Sequence, residues 1–174
     1  MAILEIRKYP DRILKEKTEP VDEITPDILK LIDDMVDTMY AAPGIGLAAN
    51  QVGVLKRIAV LDVGNEEDDD SKESTLIVLI NPEIIHKEGI IDSEEGCLSL
   101  PGYTTVVKRA EMVRVKSLDR EGRSFELEAE GGLLSRALQH EIDHLESFLL
   151  IDRIGKIKRE FFKKRYAREH GLKA

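Results

Sequence analysis

Residues 131–148 read GGLLSRALQHEIDHLESF, and the pentapeptide His140-Glu141-Ile142-Asp143-His144 sits at their centre. Two glycines break the chain and a helical pattern follows. Histidines four residues apart lie on one face of a helix, one turn from each other, so both imidazoles can reach one metal ion. The glutamate between them can reach a water on that ion. At about 100° per residue, Leu133, Leu134, Ala137, Leu138, Leu145 and Phe148 fall within an arc of roughly 140°. Glu141 and His144 lie inside that arc and His140 at its edge. Ser135, Arg136, Gln139, Asp143 and Glu146 are expected on the opposite, polar side. Three ionisable groups thus point with the apolar face toward the interior. Burying them unpartnered would cost several kcal/mol, and a cation supplies the partner.

A catalytic site of this type takes three protein ligands and leaves a position open. The extended pattern with a third downstream histidine fails, because Ser147 and Leu150 stand where its glycine and histidine would be. Two candidates for the third ligand remain at this point. Glu160 would give a metalloprotease-like set, but it lies in a segment rich in Lys and Arg. Cys97 lies in Glu94-Glu95-Gly96-Cys97-Leu98-Ser99, a polar stretch whose glycine suits close backbone approach. A non-catalytic structural metal would need a fourth ligand, from His86, His170 or a carboxylate.

Working outward, residues 25–40 predict a helix capped by Thr25, with Pro26 in its first turn and Asp27 at its positive end. Strands are expected at 57–63 and 76–80, and antiparallel strands within 104–129 around a turn at Asp119–Gly122. The acidic segment 64–75 reads as a solvated loop. A second helix is expected at about 156–169, with Ile154, Ile157, Phe161, Phe162 and Tyr166 able to pack one face on the body. Small residues crowd Gly44-Ile45-Gly46-Leu47-Ala48-Ala49-Asn50-Gln51, which allows close approach by a substrate or another segment. Gln51 offers a neutral amide donor suited to an oxyanion.

The chain has 174 residues, 42% hydrophobic and 34% charged, which fits one globular domain spanning 1–174. One cysteine excludes a disulfide framework, and no apolar run approaches membrane length. A reducing, cytoplasmic setting is expected. Net charge is −8, unevenly spread: 153–174 carries nine Lys/Arg against two acids, while the rest of the chain is strongly acidic. That argues against DNA binding as the main role and marks 153–174 as a possible interaction tail. The expected fold is α+β, with short antiparallel β-sheets packed around the central motif helix and a C-terminal helix.

Taken together, GIGLAANQ (44–51), EGCLS (95–99) and HEIDH (140–144) resemble the three signature motifs of the peptide deformylase family, in its order and spacing. The opening Arg7-Lys8-Tyr9-Pro10-Asp11 and the stretch 109–122 resemble it too, so the likeness covers nearly the whole chain. The resemblance implies removal of the formyl group from formyl-methionine at the N-terminus of nascent polypeptides, with release of formate. It implies Cys97, His140 and His144 as ligands of one divalent metal ion, Fe(II) physiologically, with Zn(II) or Ni(II) in a purified sample. Glu141 would be the general base, and Gln51 with the Leu98 backbone N–H would stabilise the oxyanion. Ile45, Gly46, Glu95, Gly96, Leu133 and Ala137 would bind substrate. The basic tail would dock on the ribosome; no membrane or DNA partner is implied. Two departures stand out. Ser147 replaces the family's usual glycine, and Gly102-Tyr103-Thr104-Thr105 lacks an arginine that some members carry there.

Overall fold

The computed structural model describes residues 2–64 and 75–172; the acidic stretch 65–74 lies outside them. Helix α1 covers Pro26–Ala41, and the Thr25 side chain accepts a hydrogen bond from the Ile28 N–H at 3.3 Å, as its sequence predicts. Seven strands follow: β1 (Gly46–Ala48), β2 (Ile58–Leu61), β3 (Ile77–Glu88), β4 (Ile91–Cys97), β5 (Leu100–Arg109), β6 (Met112–Leu118) and β7 (Ser124–Glu130). Helix α2 spans Leu133–Leu145 and helix α3 spans Lys156–Glu169. Five strands form one antiparallel sheet in the order β1-β2-β3-β6-β7, and β4 pairs with β5 in a second. The arrangement is the expected α+β fold, with antiparallel sheets around the motif helix.

Strand β2 shows why the core sits where it does. Its residues Ile58, Ala59, Val60 and Leu61 are all fully buried. Side chains alternate across a strand, so Ala59 and Leu61 face α2, with Leu138, Ile142 and Leu145, while Ile58 and Val60 face α1, with Ile32, Met35 and Met39. A strand covered on both faces reads as a continuous apolar run, which is what the sequence holds there. A third cluster joins Leu14, Leu100, Val107, Leu149, Ile151, Phe162 and Tyr166, and it seats α3.

The strands and α3 depart from the sequence reading in three places. Strand β3 runs on through Pro82 to Glu88. A register shift between Ile80 and Glu83 absorbs the proline, and Asn81, at φ +54°, turns its side chain to hydrogen-bond both backbone groups of Val21. The expected hairpin around 119–122 is β6–β7, but residues 100–109 belong to the separate β4–β5 pair. On α3, Phe162 and Tyr166 are core residues, whereas Ile157 and Phe161 are 75% and 70% exposed.

Helix α2 ends in a Schellman turn. The Ser147 N–H donates to the His144 carbonyl at 3.1 Å and the Phe148 N–H to the Asp143 carbonyl at 2.8 Å. Ser147 takes φ +71° to do so, a region that glycine enters without steric cost. This gives the family's glycine a physical reason. Ser147→Gly should therefore raise stability by about 0.5–1 kcal/mol, seen as a rise in Tm of roughly 1–4 °C. An unchanged or lower Tm would show that the serine relieves its own strain.

Candidate active site

Helix α2 is fixed along its length by side-chain bonds to neighbouring backbone. The Gln139 amide donates to the Ala110 carbonyl at 2.9 Å and accepts from the Ala110 N–H at 2.8 Å. The Ser135 hydroxyl donates to the Glu111 carbonyl at 3.0 Å. At the other end, the Asn50 amide donates to the His144 carbonyl at 2.6 Å and the Thr18 hydroxyl to the Leu145 carbonyl at 3.0 Å. The helical wheel put Ser135 and Gln139 on the polar side, yet both are buried. The reason is that α2 is covered on more than one face. Phe148, assigned to the apolar arc, lies exposed with the Arg153 guanidinium 4.5 Å above its ring.

This clamping brings three donor atoms together. His140 and His144 place their Nε2 atoms 3.2 Å apart, and the Cys97 Sγ lies 3.3 Å from the His144 Nε2. Cys97 reaches this point because the β4–β5 register shifts between Gly96 and Cys97. Ligands bound at about 2.0–2.3 Å in a tetrahedron stand roughly 3.3–3.6 Å from one another. The observed spacing fits a metal ion, and a thiolate with two imidazoles is a suitable donor set. Among the described residues no other such group of His, Cys and acidic side chains forms. Glu160 is exposed on α3, His86 pairs with Glu88, and His170 stacks on Tyr166. Neither the protease-like ligand set nor a closed four-ligand site assembles from these residues.

Around the cluster, charge is tightly held. The His140 Nδ1 is 2.9 Å from Glu95 Oε1. Glu95 takes two bonds from the buried Arg109 guanidinium, at 2.9 and 2.7 Å. Arg109 also donates to Asp143 at 2.5 Å, and Arg153 to Asp143 at 2.7 and 3.0 Å. Burial pushes the Glu95 carboxyl up, but Arg109 and His140 outweigh it and bring it down to about 2. Burial likewise opposes ionisation of Cys97, yet His144 and His140 beside it hold the thiol well below its ordinary range. For Glu141, burial dominates and raises the carboxyl. Its Oε2 has no hydrogen-bond partner among the described residues. The Gln51 side chain accepts from the Ala48 N–H at 2.9 Å and donates to the Ser99 hydroxyl at 3.0 Å, with its nitrogen 3.6 Å from the Cys97 Sγ.

The cluster opens on a cleft of about 1220 Å³. Ile45, Gly46, Gln51, Glu95, Gly96, Cys97, Leu98, Leu133, Ala137, His140 and Glu141 all line it. His144 lies buried behind them. Sequence reasoning gave no role to Arg109 or Asn50, although both stand inside quoted motifs. It also missed the N-terminal segment Ile3–Arg7, which forms part of the cleft wall.

Buried ionisable groups gathered round a metal-sized gap, with an open cleft before them, define a metal-centred hydrolase. The Polypeptide deformylase family model matches residues 3–160. The peptide deformylase of Thermodesulfovibrio yellowstonii is 62% identical over 166 residues, covering 95% of this chain and 98% of that protein. That of Syntrophobacter fumaroxidans is 51% identical over 97% of this chain and 96% of its own. Among solved structures, the Legionella pneumophila peptide deformylase superposes with a TM-score of 0.85 at 41% identity, over 99% of this chain and all of its own. The Ehrlichia chaffeensis enzyme in complex with actinonin gives 0.88 at 38% identity, over 97% and 98%. The chain belongs to the polypeptide deformylase family, hydrolases that remove the N-terminal formyl group from nascent peptides.

Gly46 offers a direct test of the geometry. A Cβ there would lie 2.5 Å from the Glu141 Oε1 and 2.8 Å from its Cδ. Gly46→Ala must displace the carboxylate. Turnover should fall by about 10²-fold or more, with metal content unchanged. Full activity would mean that the position of Glu141 is not critical.

Proposed function

We propose that Cys97, His140 and His144 hold the metal ion of this deformylase and that Glu141 is its general base and acid. The observation that carries this reading is the convergence of one Sγ and two Nε2 atoms within 4.8 Å at the cleft wall, with buried Glu141 beside them. Residues 1–174 act as one catalytic domain in the cytoplasm. When bound, a divalent cation polarises the formyl carbonyl and lowers the pKa of water toward neutrality. Fe(II) is the expected physiological ion, and Zn(II) or Ni(II) suits the same donors in a purified sample.

The chain's own groups account for the rest. Glu141 takes a proton from the attacking water, and its raised pKa favours that uptake. It passes the proton to the departing amine nitrogen as the C–N bond breaks, leaving formate and a free amine. The Gln51 side-chain amide and the Leu98 backbone N–H donate to the oxygen on which charge develops. Loss of one such donor typically costs about 10²–10³ in rate. Ile45, Gly46, Glu95, Gly96, Leu133 and Ala137 form the walls that receive the unbranched methionine side chain. Strand β1 is an edge strand, so an extended peptide can add to it by backbone bonds. Such contacts read little of the later residues.

The test is formate release from a formyl-Met-Ala peptide by anaerobically purified protein. Glu141→Ala should keep its metal and lose turnover by about 10²–10⁴-fold. Cys97→Ser should lose or weaken the metal itself. Metal bound normally in Cys97→Ser would overturn the ligand assignment, and undiminished turnover in Glu141→Ala would overturn the base.

We further propose that α3 docks on ribosomal RNA. Lys158, Lys163, Lys164, Arg165 and Arg168 are all exposed on it. Truncation at 160 would remove core residues Phe162 and Tyr166, so charge reversal is the cleaner probe. Lys158→Glu, Lys164→Glu and Arg168→Glu combined should weaken ribosome co-sedimentation about tenfold or more and make it less salt-dependent. Activity on short peptides should stay within about twofold. Unchanged ribosome affinity would sink the idea.

A further inference from the structure

Both groups proposed above to stabilise the oxyanion lean on one two-residue turn. Strands β4 and β5 pair Cys97 with Leu100, so Leu98 and Ser99 form the turn between them. Leu98 carries the backbone N–H. Ser99 is fully buried, and its hydroxyl accepts a hydrogen bond from the Gln51 amide nitrogen at 3.0 Å, across 48 residues of sequence. A turn serine commonly bonds backbone a residue or two away; this one reaches another segment. Residues 7–9 then hold the two partners at a set distance. The Arg7 N–H donates to the Gln51 carbonyl at 2.6 Å and the Tyr9 N–H to the Ser99 carbonyl at 2.9 Å.

A glutamine amide nitrogen carries two hydrogens, and the terminal torsion that aims them is broad. Two contacts narrow it here. The Ala48 N–H, 2.9 Å from the Gln51 Oε1, sets which end of the amide is oxygen and which is nitrogen. Ser99 engages one of the two hydrogens and so holds the plane of the amide. The other is left on the side of Cys97, whose Sγ lies 3.6 Å from the same nitrogen. Among the described residues, Gln51, Cys97 and Leu98 line the cleft, whereas Ser99 lies behind them with no exposed surface. Its hydroxyl can therefore bear on the reaction only through Gln51. A donor to a developing oxyanion works because it is aimed before the charge forms.

We propose that Ser99 is a positioning residue, whose hydroxyl takes one Gln51 amide hydrogen and thereby points the other at the oxygen on which charge develops. The proposal rests on the oxyanion role given to Gln51 above. The turn at 98–99 thus carries one donor on its backbone and aims the second through its side chain.

The experiment is a double-mutant cycle of Ser99→Ala and Gln51→Ala, with kcat, KM and metal content measured on a formyl-Met-Ala peptide. Ser99→Ala alone should lower kcat about tenfold, less than the loss of the donor itself, and leave KM within about twofold and metal content unchanged. Added to Gln51→Ala, it should lower kcat by no more than about twofold further, because the group it aims is gone. The same tenfold loss with and without Gln51 would make Ser99 a merely structural turn residue and overturn the proposal. So would an unchanged kcat, or loss of metal, in Ser99→Ala. Ser99→Gly, which also lacks the hydroxyl, carries the same cycle should the alanine variant fail to fold. Parent-like kcat in Gln51→Ala would instead overturn the oxyanion role of Gln51, and the proposal with it.

Discussion

The buried guanidinium of Arg109 ties the site together. It lies at the end of β5 and bonds Glu95 on β4 and Asp143 on α2. Glu95 in turn meets His140 through its Nδ1. One cation thus joins a strand pair to the motif helix and fixes one imidazole's orientation. Taking the guanidinium away would leave Glu95 with His140 alone and Asp143 with the more exposed Arg153 alone, a destabilising loss for partly buried carboxylates. The pairing need not stabilise the fold more than an apolar core would. What it supplies is direction: a histidine whose far nitrogen is held presents the near one at a set angle.

Rigidity below the site comes from the two-faced sheet. Because β2 is buried on both sides, α1 and α2 are held by opposite faces of the same few residues. Neither helix can shift without opening a void in that layer, and voids are costly. The clamps from Asn50 and Thr18 on the last turn of α2 add a polar stop at its end. The Schellman turn through Ser147 then redirects the chain toward Leu149–Ile151 and the cluster beneath α3. The face of α2 that carries His140 and His144 is therefore braced at both ends, and the open side is the cleft.

Much of this was legible in the sequence, for reasons that differ from residue to residue. The spacing of His140 and His144 follows from the helical repeat, and the bounds of α1, α2 and α3 follow from caps and glycine breaks. The residues alone lean to Cys97 over Glu160, through the glycine beside the one and the basic surroundings of the other, but the register shift that brings Cys97 beside His144 is encoded in no local pattern. The wheel misplaced Ser135 and Gln139, since it assumes one buried stripe and α2 has more. Strand β3 outruns the expected 76–80 because the apolar run ends at Ile80, whereas a bulge carries the pairing past Pro82. Arg109 was hidden because a charged residue in a strand normally reads as solvent-facing. Only the two acids opposite it, far away in sequence, explain its burial.

The position of Glu141 shows how these parts act as one. A carboxylate in the proposed role, taking and returning a proton, works best when its two protonation states are close in energy. Burial against Gly46 raises its pKa, and the nearby His140 and His144 pull the other way. The glycine matters as an absence: any side chain there would occupy the carboxylate's place. Gly46 begins β1, whose pairing with β2 follows from the doubly buried layer. The same layer that gives the fold its core therefore also fixes the distance at which a backbone atom stands from the Glu141 carboxylate.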